Sequence, residues 1–157
     1  MSGESVRAWL TDHAPDLRKL DGHGSTATVA DAAATLGVEP GRIAKTLAIR
    51  AGETVILLVT RGDARLDNRK FKDEFGSRPR MLDAEETLAR TGHPVGGVCP
   101  FGLAEPLAVY CDISLKAYAT VFPAAGTRDS SVEIPVDRLA ALVSTRWVDV
   151  CRSGSGD

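Results

Sequence analysis

Three features of this sequence could do chemistry: a cysteine, Cys99, with a histidine, His93, upstream of it; an isolated lysine, Lys45; and a run of glycines and prolines at residues 91–102, T-G-H-P-V-G-G-V-C-P-F-G. A cysteine nucleophile needs a base to form the thiolate. Pro94, Gly96 and Gly97 lie between His93 and Cys99, so spacing does not bring the two together, and Cys99 reads equally as a small buried apolar residue. His93 is expected on the surface of its loop rather than as a catalyst. The loop itself is more informative. Pro94 and Pro100 fix φ, while Gly92, Gly96, Gly97 and Gly102 admit conformations that side chains forbid. Val95, Val98 and Phe101 can anchor it against a core. A shaped backbone of this kind presents peptide N–H groups, and their natural ligand is an anion or a carbonyl oxygen. Lys45 is the only charged residue between Arg42 and Arg50, and the pattern around it places it at a helix-to-strand junction. Asp112, after an apolar run, reads either as a polar site residue or as a turn residue.

Several chemistries are excluded. The sequence has no G-x-x-x-x-G-K-[ST], no G-x-S-x-G and no H-E-x-x-H, which removes P-loop, α/β-hydrolase and zincin readings. The zinc-deaminase pattern is missing as well, because Cys99 has no cysteine partner at the required spacing. The histidines are His13, His23 and His93, and none pairs with another at ligand spacing, so neither a metal nor another cofactor is expected. Cys99, Cys111 and Cys151 match no zinc or redox spacing and read as reduced, buried thiols. Net charge is −2, so the molecule as a whole is not an electrostatic binder of nucleic acid. Residues 61–80 differ. Arg61, Arg65, Arg69, Lys70, Lys72, Arg78 and Arg80 stand there against Asp63, Asp67, Asp73 and Glu74, which suits either a solvated helix or a contact with phosphates.

These residues must be positioned by elements that the sequence also predicts. Apolar spacing gives helices over 5–13 and from Ser25 or Thr26 to 36, the latter closed by Gly37. Two apolar runs, 47–50 and 54–60, joined by Ala51-Gly52-Glu53, read as a hairpin, and V-I-L-L-V within the second as a strand buried on both faces. Asp67 caps a helix ending at Gly76, with Leu66 and Phe71 as its staple, and Asp83 with Glu86 starts another that runs into the glycine loop. Strands are expected at 80–82, 107–111, 120–122, 131–134 and 146–150. A second glycine turn lies at 123–127, and Pro135 opens a last helix at its first position. Strands that are both clustered and interspersed argue for an α+β class: a single domain over residues 1–152, one mixed sheet curled toward a barrel, and helices packed outside. Residues 153–157 read as a disordered tail. With 157 residues, 43% hydrophobic and 25% charged, the chain can bury roughly 70% of its unfolded surface. It shows no membrane-spanning run and no signal h-region, so a cytoplasmic location is the default.

I-A-K-T-L-A-I around Lys45, the glycine loop, and A-A-G-T-R-D-S-S-V-E-I from Ala124 together resemble the YbaK-type aminoacyl-tRNA deacylases, which include the editing domain of bacterial prolyl-tRNA synthetases. The likeness covers about residues 20–150. It implies the curled mixed sheet of those domains and a trans-editing activity that hydrolyses mischarged tRNA, with cysteinyl- or alanyl-tRNA for proline as first substrates. Lys45 is then the main functional side chain, holding the terminal adenosine phosphate. Gly96-Gly97-Val98-Cys99-Pro100 matches the G-x-x-x-P element that binds the ester, which makes Gly96, Gly97 and Pro100 catalytic. Thr46, Val98, Cys99, Gly126 and Ser131 would line the substrate, and Arg65 and Arg69 would touch the tRNA. Water would be activated by the substrate's own ribose hydroxyl or replaced by a substrate thiol, with no metal and no covalent intermediate. The implied partners are aminoacyl-tRNA and an aminoacyl-tRNA synthetase, and no membrane. Some relatives carry a histidine after the second glycine turn, whereas this chain has Thr127-Arg128-Asp129. The alternatives are a non-catalytic aminoacyl-tRNA or synthetase-binding module of the same fold, and a thiol hydrolase using Cys99.

Overall fold

Side-chain caps start three of the α-helices in the computed structural model of the chain, which describes residues 2–152; the expected tail at 153–157 lies outside the described residues. The elements are α1 (Ser2–His13), β1 (Lys19–Asp21), α2 (Val29–Leu36), β2 (Ile43–Ala51), β3 (Thr54–Arg61), β4 (Arg65–Leu66), α3 (Asn68–Phe75), β5 (Pro79–Met81), α4 (Ala84–Thr91), β6 (Ala108–Asp112), β7 (Thr120–Pro123), β8 (Ser130–Val132), β9 (Ile134–Pro135), α5 (Val136–Val143), β10 (Trp147–Val148) and β11 (Cys151–Arg152). Thr28 accepts the Asp31 N–H at the start of α2, Asp67 that of Lys70 at α3, and Asp83 that of Glu86 at α4. Each caps a donor that the helix leaves orphaned. Helix α2 therefore begins later than Ser25 or Thr26. Gly37, Gly76 and Gly92 end α2, α3 and α4 in the left-handed conformation. Pro135 sits at the N-cap of α5, one position ahead of the expected N1.

The main sheet has 7 strands in the order β10-β6-β3-β2-β7-β9, with β5 also paired to β2. β2 and β3 form an antiparallel hairpin from Ala44↔Arg61 to Ala51↔Thr54. β6 runs parallel to β3, and β7 parallel to the first residues of β2. Two small sheets, β1 with β8 and β4 with β11, complete this mixed α+β fold. Val55 through Thr60 are all buried, as the continuous apolar run requires of a central strand with both faces covered. One face packs a core that includes Leu57, Val59, Cys99, Phe101, Val121 and Leu139; the other packs Ile56, Leu58, Phe71 and Val150. Among the described residues no helix is long and apolar enough to cross a membrane.

Candidate active site

Strand β2 begins at Ile43, so Lys45 lies inside a strand and not at a helix-to-strand junction. The reason is non-local. Ile43 and Ala44 are recruited by Phe122 and Pro123 of β7, a partner that the local pattern cannot show. On its other edge β2 pairs with β7 at Ile43–Ala44 and with β5 at Ile49–Ala51, followed by a last bond from the Leu82 N–H to the Ala48 carbonyl. Between these contacts the edge is open.

A cavity of about 280 Å³ wraps that open edge. It is lined by Lys45, Thr46, Leu47 and Ala48 from β2, by Val95, Gly96 and Val98 from the glycine loop, and by Ala124 and Ser131 from the second glycine turn and β8. Most of its remaining wall is apolar, including Val29, Ile43, Leu82 and Phe122. Among the described residues Lys45 is the only charged liner. Its side chain leaves β2 on the face of Leu47 and Ile49, opposite that of Ala44 and Ala48, and its Nζ donates to the Ala64 carbonyl at 2.5 Å. Burial pushes the Lys45 ammonium below its ordinary pKa, against the opposing pull of Cys151 and Asp63.

Thr46 is on the other face. Its Oγ1 is buried and has no hydrogen-bond partner among the described residues. A hydroxyl desolvated without a partner costs about 1–3 kcal/mol, which marks the position as one that the fold alone does not justify.

The glycine loop is built by alternation. Gly96 and Val98 face the cavity, while Gly97, Cys99 and Pro100 are buried behind them. Gly97 N–H closes a turn onto the Pro94 carbonyl at 2.9 Å, and Gly96, at φ +95°, takes the left-handed position of that turn. Gly126 N–H donates to the Gly97 carbonyl at 3.0 Å. A Cβ on Gly97 would lie 2.7 Å from Thr127 N and 2.8 Å from Gly126 C. The two glycine turns are thus stacked backbone on backbone, and Gly97 and Gly126 serve that stacking instead of touching the cavity. Gly97 has no N–H left for a ligand. Arg128 adds a strap across the lip, its Nε donating to the Val95 carbonyl at 2.9 Å.

His93 is not on the surface; it is 0% exposed. Its Nε2–H donates to the Phe101 carbonyl at 2.7 Å, and its Nδ1 meets the Ser2 hydroxyl at 2.5 Å. Helix α1 supplies the cover, which is why the loop's own sequence gives no sign of it. Cys99 Sγ comes within 3.6 Å of His93 Nε2, so the fold does bring the pair together. Cys99 is nevertheless 0% exposed and absent from the cavity wall, and burial pushes its thiol up to about 12. Asp112 is a structural acceptor, its two oxygens taking the N–H groups of Ser114 and Val150. Arg65 and Arg69 are exposed, away from the cavity, with Arg65 close to the Lys45 ammonium.

The sequence profile of the aminoacyl-tRNA editing domain matches residues 23–142, the stretch that builds this cavity. The chain belongs to the aminoacyl-tRNA editing domain family. Within the family it is 46% identical over 97% of its length to "Uncharacterized protein YwhH" of Bacillus subtilis strain 168, covering 98% of that protein. It is 27% identical to "Putative Cys-tRNA(Pro)/Cys-tRNA(Cys) deacylase EbsC" of Enterococcus faecalis, over 91% of this chain and 80% of that one. It is also 34% identical to a stretch making up 23% of the proline–tRNA ligase of Pelobacter propionicus. A crystal structure described as "a putative trans-editing enzyme for prolyl tRNA synthetase" superposes with a TM-score of 0.88 at 30% identity, over 97% of this chain and 98% of that one. The editing-domain fold and the curled sheet expected from the sequence are therefore those of the family.

Proposed function

We propose that this chain is a trans-editing deacylase that hydrolyses the ester of mischarged aminoacyl-tRNA, taking small aminoacyl groups, cysteinyl or alanyl, from the tRNA for proline. The observation that carries the reading is the cavity wrapped around the open edge of β2 and closed by the glycine loop. The names of the EbsC and prolyl-tRNA synthetase relatives support the substrate class. The ester carbonyl meets the loop backbone at Gly96 and Val98. There, fixed N–H donors aimed at the developing oxyanion are worth about 3 kcal/mol each, and Gly97 and Pro100 hold that backbone in place from behind. Lys45 provides a point charge beside the Ala64 carbonyl for the terminal adenosine phosphate. Among the described residues no histidine or carboxylate lines the cavity, so water is activated by the substrate's ribose hydroxyl or displaced by a substrate thiol, and orientation supplies the rate. Cys99 has no part in the chemistry, being buried with a raised pKa, and full activity of Cys99→Ser is expected.

Incubation with a panel of mischarged tRNAs tests this reading. Cysteinyl- or alanyl-tRNA should be deacylated well above the buffer rate, and Lys45→Ala should remove most of that acceleration. Binding of the panel without any accelerated hydrolysis would instead establish a non-catalytic aminoacyl-tRNA-binding module. An unchanged rate in Lys45→Ala would overturn the role given to the lysine.

A further inference from the structure

The open edge of β2 carries unspent hydrogen-bonding groups. The Leu82 N–H donates to the Ala48 carbonyl at 3.2 Å, so in the antiparallel alternation the backbone groups of Ala48 point away from β3 toward β5. Two residues earlier, the N–H and C=O of Thr46 point the same way. There β7 has already parted from β2 and β5 has not yet joined it. The Thr46 hydroxyl is buried and without a partner among the described residues; Ser77 has the other such hydroxyl, but it does not line the cavity. The hydroxyl of Ser131, a residue 2% exposed, belongs to the same wall. Buried polar groups are nearly always paired, so a residue whose hydroxyl has no partner among the described residues and whose carbonyl points to an edge that neither β5 nor β7 covers suits a ligand that carries N–H donors.

An aminoacyl ester has one such group next to its carbonyl: the α-amino group. We propose that the open edge at Thr46 reads the free α-amino group of the substrate, with the Thr46 carbonyl, the Thr46 hydroxyl and the Ser131 hydroxyl as its hydrogen-bond partners, so that N-acylated aminoacyl-tRNA is rejected. This rests on the deacylase reading. Among the described residues no carboxylate lines the cavity, so the group is recognised by hydrogen bonds and not by an ion pair. Acylation leaves one N–H where an ammonium has three, and places an acyl group in the space that the ammonium would occupy against these partners. Peptidyl-tRNA and formylated initiator tRNA carry that same modification, and the edge would spare both.

The test compares one aminoacyl-tRNA with its N-acetyl form, each enzymatic rate divided by its own spontaneous rate in buffer. Acceleration of the free form at least about tenfold greater than that of the acetylated form is expected from the loss of two donors to a buried site. Thr46→Val should narrow this ratio while leaving the melting temperature unchanged or raised, because the hydroxyl satisfies nothing in the protein. A purely structural role for Thr46 would lower the melting temperature and leave the ratio intact. Equal acceleration of both forms overturns the inference, as it would if the edge read the terminal adenine's amino group instead. A full ratio in Thr46→Val overturns the assignment to that side chain. Acceleration of neither form would take down the deacylase reading itself, a result distinct from the other two.

Discussion

His93 shows how a single buried residue can hold the glycine loop from behind the cavity wall. Both ring nitrogens are engaged, by Phe101 at one end of the loop and by Ser2 of α1, and the ring is wholly buried. Burial lowers its pKa from the ordinary 6.5, while the hydrogen bond to the Phe101 carbonyl pulls the other way. The folded protein therefore prefers the neutral ring. The stability contributed is fully present above the unfolded value and is lost as pH falls below it toward the depressed folded value. The melting temperature should accordingly decline as pH falls from about 7.5 through the ordinary imidazole range. His93→Gln, which keeps a donor for Phe101 and cannot take up a proton, should flatten that decline. Thermal melts of both proteins across this range decide it, and parallel curves would show that His93 does not titrate in the transition.

At the scale of elements, the site depends on two glycine turns laid against each other. A methyl group on Gly97 would meet only backbone, at Thr127 N and Gly126 C, and backbone cannot swing aside as a side chain can. Gly97→Ala should cost about 1–3 kcal/mol or more. In a domain of this size that is a fall of about 3–10 °C in melting temperature, accompanied by loss of deacylation as Gly96 and Val98 are displaced. An unaltered melting temperature would mean that the turns can part without penalty. The helix ends set by Asp67, Asp83, Gly37 and Gly76 were legible in the sequence because caps are local, each acting within a few residues of itself, whereas the start of α2 at Thr28 was missed. The hairpin of β2 and β3 was legible from its apolar runs and Gly52. What was not legible depends on distant partners. The early start of β2 needs β7, the burial of His93 needs α1, and the open edge at Thr46 exists only because β5 and β7 leave β2 at different points. The glycine loop was correctly singled out as a shaped backbone, yet the sequence could not show that Gly97 faces the second turn while Val95, Gly96 and Val98 line the cavity.

For the whole molecule, the proposed function requires that something as large as a tRNA be held by a protein of net charge −2. Pairing within the basic segment narrows which cations could do so. Arg61 is tied to Asp63, Lys70 to Asp149, and Arg146 reaches back to Glu74, whereas Arg65 and Arg69 make no ion pair among the described residues. Arg65 also stands directly opposite Arg152 in the β4–β11 pair. Like charges facing each other across strands are unfavourable by themselves, and a phosphate between them would reverse the sign. Arg65 lies next to Ala64, whose carbonyl holds the Lys45 ammonium. A tRNA end entering the cavity past Lys45 would therefore carry its following phosphates toward this exposed cationic surface. Each phosphate contact removed should reduce the slope of log affinity against log salt by about 0.7–0.9. For Arg65→Glu with Arg69→Glu, KM for aminoacyl-tRNA should rise and the salt slope fall by about 1.5, with turnover of an aminoacyl-adenosine that lacks the acceptor stem unchanged. Equal losses on both substrates would place the damage in the cavity and not on the tRNA path, and an unchanged salt slope would remove the two arginines from the interface.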